Sequence, residues 1–247
     1  MKYFAKIKYL GTGFHGFQVQ PGQRTIQGEL SSACLAAFGY EAKVTGCSRT
    51  DSGVHANEFC LTIECDKATV PPEKLPMALA RFLPNDISLF SAEQCASDFH
   101  PRYNVKSKEY LYRIRSSRIS DPFDCGRVWF LSYDFDEKML SLMNEAAKYF
   151  IGTQDFAAFM SEGSGVQDTV RTIYYLNIEK NGDCIDIKIS ADGFLYNMVR
   201  IVVGTLVDVA LSRIKPSEIA SIIKSKDRSK AGITAPADGL YLNKVIY

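Results

Sequence analysis

The sequence predicts an α+β protein of two lobes, each a mainly antiparallel sheet flanked by helices. Three observations predict it. Stretches that alternate apolar and polar residues, as half-buried strands do, recur along the chain. They meet one another through short turns with helical stretches between, not in the strict strand–helix alternation of a parallel doubly wound sheet. The two halves of the 247-residue chain are also alike in make-up, which sets a boundary near residue 104 and lobes over 1–104 and 105–247. At 46% hydrophobic residues, the chain can bury a large core as one big domain or two smaller ones.

In order, Tyr3, Ala5, Ile7 and Tyr9 share one face of an opening strand, with lysines mostly on the other. Leu30, Ala33, Cys34 and Ala37 fall at helical spacing within Ile26–Phe38. Phe59, Leu61, Ile63 and Cys65 alternate again. Pro71-Pro72 opens a helix running to about Phe82, and a strand covers 87–93. Tyr110, Tyr112 and Ile114 then face one side of a strand, Arg113 and Arg115 the other. Asp134 or Asp136 caps a helix carrying Met139, Leu142, Met143, Ala146 and Phe150. Strands near 172–179 and 184–190 are joined at Asn181-Gly182, a strong hairpin signal. Residues 194–212 read as a very apolar helix, Pro216 as the start of another, and 240–247 as a last strand.

The formal net charge is +1, so no global basic field marks or excludes a nucleic-acid partner. Locally, Arg102, Lys106, Lys108, Arg113, Arg115 and Arg118 stand against the single acid Glu109, and Lys224, Lys226, Arg228 and Lys230 cluster around Asp227. Such stretches neutralise phosphates or are simply solvated loop charges. Seven cysteines without C-x-x-C and three histidines away from zinc-finger spacing argue against a structural metal and for reduced, buried thiols. The opening residues are too charged for a signal peptide or a membrane span, so a cytoplasmic protein without a membrane partner is expected.

Four features compete for function. Asp51 lies among Ser, Thr and Gly, two residues after Arg49 and two before Gly53, where an Asx turn and a presented carboxylate are both at home. Gly11-Thr-Gly13-Phe-His-Gly16 spells the dinucleotide motif after a strand, but Pro21-Gly22 stops a helix from following, and the acid expected about twenty residues on is missing. Arg200 falls with Asn197, Gly204 and Asp208 in a narrow stripe on the apolar helix. It either pairs internally with Asp208 or a sheet carboxylate, or holds a carboxylate in a cleft. Tyr110, on a strand among cations, is either core or a ring for an unstacked base.

Taken together, several segments resemble the TruA-type tRNA pseudouridine synthases, in order and over nearly the whole chain. They are Tyr-Leu-Gly-Thr-Gly-Phe-His-Gly-Phe-Gln at 9–18, Gly-Cys-Ser-Arg-Thr-Asp-Ser-Gly-Val-His-Ala at 46–56 and Phe-His-Pro-Arg at 99–102. Lys-Glu-Tyr-Leu-Tyr at 108–112, Gly-Phe-Leu-Tyr-Asn-Met-Val-Arg at 193–200 and Ala-Pro-Ala-Asp-Gly-Leu-Tyr-Leu at 235–242 follow. The resemblance implies a pseudouridine synthase fold with its cleft between the lobes, and two chains cooperating as a homodimer on one tRNA. It implies cofactor-free isomerisation of uridines 38, 39 and 40 in the anticodon stem-loop. It gives Asp51 the role of the invariant aspartate and Arg49 that of its companion arginine. Tyr110 becomes the stacking ring, Arg200 the aspartate's partner and Leu240 the apolar contact beneath the base. Arg102, Lys106 and Lys108 become candidates for gripping phosphates. The family usually carries Asp where this chain has Leu10 and Trp where it has Phe17. The competing expectations are relatives acting on other uridines, a non-catalytic RNA-binding protein on the same fold and, through residues 11–16, a nucleotide-dependent oxidoreductase.

Overall fold

The computed structural model describes residues 1–67 and 70–247. Strand β1 (Lys2–Tyr9) buries Tyr3, Ala5, Ile7 and Tyr9 and leaves Lys8 exposed. Helix α1 (Ile26–Phe38) starts where the Thr25 hydroxyl accepts the Gly28 N–H at 3.2 Å. It stops at Gly39, whose φ of 77° is the left-handed conformation that closes helices. β2 (Lys43–Gly46) and β3 (His55–Glu64) follow. A 3-10 turn over Pro72–Lys74 leads into the short α2 (Leu75–Ala80), and β4 (Ile87–Gln94) comes after it. Next are β5 (Ser107–Ser116), β6 (Trp129–Leu131) and α3 (Glu137–Ala147), with Asp136 accepting the Met139 N–H at 2.8 Å as its cap. The chain continues through β7 (Gly152–Asp155), β8 (Val170–Asn181), β9 (Cys184–Ala191), α4 (Met198–Ala210), α5 (Ile219–Ser225) and β10 (Leu240–Ile246).

These elements form two compact units, Met1–Lys106 with Tyr241–Tyr247, and Ser107–Leu240. In the first unit the strand order is β4-β1-β3-β10, with β2 also beside β3. All pairs are antiparallel except β10 with β3, which run parallel through Tyr241↔His55 and Leu242↔Ala56. α1 packs on β2 and α2 on β4. β3 is central and buried on both faces: Phe59, Cys60, Leu61, Thr62 and Ile63 are each 0% exposed. The alternation at 59–65 therefore marks only one of its two covered faces. The second unit orders β5-β9-β8-β7, all antiparallel, with β6 parallel at the edge of β5. α3 and α4 pack on each other and on β8 and β5, while α5 lies against β7.

Two local expectations change. Asn181 pairs with Cys184 as the last ladder residue, so the hairpin turns on Gly182-Asp183 with φ of 59° at Gly182. A turn with glycine first is the other two-residue type whose twist suits a hairpin. α4 begins at Met198, not near 194, because Asn197 sits at φ 59°, ψ 9° and breaks the helical path. The seven cysteines are all free thiols. Burial pushes the Cys34 thiol up to about 12. Among the described residues no helix is long and apolar enough to cross a membrane.

Candidate active site

Asp51 follows β2 and opens a turn closed by the Val54 N–H donating to the Asp51 carbonyl at 3.2 Å. Gly53, at the third position, has φ of +81°, which glycine supplies without steric cost. The half-buried aspartate owes its place to the segment 9–17. The Phe14 carbonyl accepts from Gly53 N at 3.3 Å and from Ser52 Oγ at 3.1 Å. Thr50 is held on both sides: its carbonyl accepts the Phe17 N–H at 3.1 Å, and its hydroxyl lies 2.8 Å from the Tyr9 hydroxyl. Gly11 and Gly16 make this packing possible. A Cβ on Gly11 would lie 2.0 Å from the Val54 carbonyl oxygen, and one on Gly16 would lie 2.7 Å from that of Thr50. The glycine motif is a bed for a second loop. Arg49, two residues before Asp51, is exposed.

In the second unit the segment 235–240 includes Leu240 and holds Arg200, and it also meets Tyr112 on β5. Arg200 donates through Nε to the Ala235 carbonyl at 2.6 Å and through Nη1 to Asn197 Oδ1 at 2.8 Å. Tyr112 donates to the Pro236 carbonyl at 2.7 Å, and Gly239 is pressed so closely on β5 that a Cβ there would be 2.6 Å from the Arg113 carbonyl oxygen. Leu240 follows at once, 6% exposed. Tyr110, two residues before Tyr112 on the same face of β5, is 8% exposed and meets the Phe194 ring edge-on, centroids 5.1 Å apart. Burial pushes the Tyr112 hydroxyl far up, with the Arg200 charge opposing. An internal pair between Arg200 and Asp208 is not formed. Asp208 bonds Arg213 instead, at 3.0 Å, and Arg200 is half-buried, not fully desolvated.

The basic stretches divide. Arg113, Arg115 and Arg118 pair with Asp186 at 3.4 Å, Asp124 at 2.6 Å and Asp134 at 3.1 Å, acids that all lie outside the 99–118 window. Lys226 pairs with Asp155 at 2.6 Å, and Arg228 braces its own loop through Gly232 O and Thr234 Oγ1. Arg102, Lys106, Lys224 and Lys230 are exposed, and Lys108 is half-buried. Of the two departures from the family pattern, Phe17 is core: it stacks on Phe59 with centroids 4.4 Å apart, a contact that adds about 0.5–1.5 kcal/mol beyond burial. Leu10 is 40% exposed.

His55 received no role from its sequence context. It is 0% exposed, its Nδ1 accepts the Gly11 N–H at 2.9 Å, and its ring stacks on Tyr241 at 4.5 Å. An accepting Nδ1 puts the ring proton on Nε2. The signal for it was position alone: the first strand residue after the Asp51 turn, where the next element has to be anchored.

The family described as tRNA pseudouridine synthase matches residues 5–104 and 146–247. The tRNA pseudouridine synthase A of Thermoanaerobacter sp. (strain X514) is 46% identical over 241 residues, covering 98% of this chain and 97% of that one. The tRNA pseudouridine synthase A 2 of Clostridium tetani is 43% identical over 98% of this chain and 97% of its own length. That of Bacillus subtilis (strain 168) is 41% identical, over 100% and 99%. The chain belongs to the tRNA pseudouridine synthase family. It is an isomerase, which rearranges bonds within its substrate and transfers nothing to a second molecule.

Proposed function

We propose that the protein converts uridines 38, 39 and 40 of the tRNA anticodon stem-loop to pseudouridine, as a homodimer, with Asp51 as the reacting carboxylate and no cofactor. The observation that carries this is the Asp51 turn, locked on both sides by hydrogen bonds to residues 9–17 in a chain related along its whole length to tRNA pseudouridine synthases. The reaction breaks the bond from ribose C1′ to N1, turns the uracil and rejoins it through C5. C5 gives up a proton and N1 gains one, so atoms and electrons balance without a redox partner or group donor. Both routes open to a carboxylate, attack on the sugar or base and proton abstraction at C2′, begin from its charged form. Arg200 is the guanidinium assigned to keep Asp51 charged.

The target base has to leave its stack, at a cost of a few kcal/mol. Stacking on Tyr110 offsets about 1–3 kcal/mol of that, with Leu240 as the apolar contact beneath. Arg49 is assigned beside Asp51 as its companion arginine, and Arg102, Lys106 and Lys108 to phosphates. Tritium release from tRNA labelled at uracil C5 tests the assignment. Asp51→Asn should retain tRNA binding and release no tritium; turnover near the parent rate removes Asp51 from the chemistry.

A further inference from the structure

Asn197 stands in the left-handed conformation directly before α4, at φ 59° and ψ 9°. Asn tolerates this region better than most side chains, and at a helix start its usual work is to cap the first turn. Here it makes no capping hydrogen bond. Its amide is used sideways. Oδ1 accepts Arg200 Nη1 at 2.8 Å, and Nδ2 donates to Ser161 Oγ at 3.0 Å. Ser161 also donates its backbone N–H to the Tyr196 carbonyl at 3.1 Å, so it grips the same turn twice. Beyond Arg200, Nε donates to the Ala235 carbonyl at 2.6 Å, and the Ala235 N–H returns a bond to the Arg200 carbonyl at 3.1 Å.

Two acceptors on two different nitrogens fix the plane of a guanidinium, where one would leave it free to swing. A helix that gives up its cap and accepts a left-handed residue requires a compensating reason. We infer that Asn197 is a positioning residue for the isomerisation: its side-chain amide, backed by Ser161, sets the plane of the Arg200 guanidinium. This rests on the role given to Arg200 above.

Asn197→Gly removes the amide while suiting the positive φ, so the helix start is preserved. Single-turnover tritium release should fall about ten- to a hundredfold, as for a misplaced group near the chemistry, with the tRNA dissociation constant at the parent value. In an Arg200→Ala background the same change should cost nothing further, because the group it orients is gone. Ser161→Ala should lower the rate in the same direction and fail to add to Asn197→Gly; it also stands as the test should Asn197→Gly not fold. A parent rate in Arg200→Ala overturns the role of Arg200 itself. A slow Arg200→Ala beside a parent-rate Asn197→Gly, or equal losses from Asn197→Gly in both backgrounds, overturns the positioning role alone.

Discussion

Gly11 has no room for a side chain, and that fact governs the Asp51 turn. In Gly11→Ala the new Cβ would sit 2.0 Å from the Val54 carbonyl oxygen, so the turn has to move. We expect a loss of about 1–3 kcal/mol in urea unfolding, as for other overpacked sites. Tritium release should fall more steeply than stability, because the displaced atoms belong to the loop carrying Asp51. Equal activity per folded molecule would separate the glycine from the chemistry. The sequence allowed half of this to be read. Pro21-Gly22 excluded a dinucleotide helix after the motif, but nothing near Gly11 or Gly16 announces that residues 50–54 will lie against them. Asp51 was legible only through the string around it. The bonds that Tyr9, Phe14 and Phe17 make to its flanking residues Thr50, Ser52 and Gly53 are fixed by tertiary packing, which no local pattern encodes.

At the scale of elements, the caps carry measurable stability. Asp136→Ala deprives the Met139 N–H of its acceptor, and Thr25→Ala does the same to Gly28. Each should cost about 1 kcal/mol, a fall in Tm of roughly 2–4 °C by calorimetry for a chain of this size. α1 was legible from helical spacing alone, and the Thr25 cap and the left-handed Gly39 fix its two ends. α4 was not, since an apolar run continues through Leu195 while the backbone at Asn197 turns left-handed. At the end of β7, the Lys226 ammonium, then the Thr169 hydroxyl, hold the Asp155 carboxyl below the usual carboxylate range. A carboxylate lowered on folding stabilises above its unfolded pKa, and the gain is lost as pH falls through the folded value. Below about pH 4, the ordinary carboxylate range, urea midpoints of the parent and Asp155→Asn should converge. Above it the parent should be the more stable; a constant gap at every pH would show that the Asp155 charge does not matter.

Over the whole molecule, the basic residues counted along the chain overstate the free positive charge. Arg113, Arg115, Arg118 and Lys226 are paired with acids that lie outside the two basic stretches, so counting charge within those stretches misses them. Lys106→Glu or Lys230→Glu, at exposed lysines, should lower the slope of log affinity for tRNA against log salt by about 1. Arg115→Gln should leave that slope alone and weaken folding instead. Filter binding at several salt concentrations separates the two classes, and equal slopes throughout would return the lysines to solvated decoration. The parallel seat of β10 on β3 has a further consequence, for synthesis. His55 is stacked on Tyr241, Asn57 donates to Asn243 at 2.8 Å, and the Lys106 N–H waits for the Ile246 carbonyl. At roughly 5–20 residues per second, about 10–40 s separates translation of His55 from that of Tyr241. Throughout that interval the nascent chain carries its aspartate beside an unfinished sheet edge, and the unit bearing Asp51 is completed only once β10 has been made.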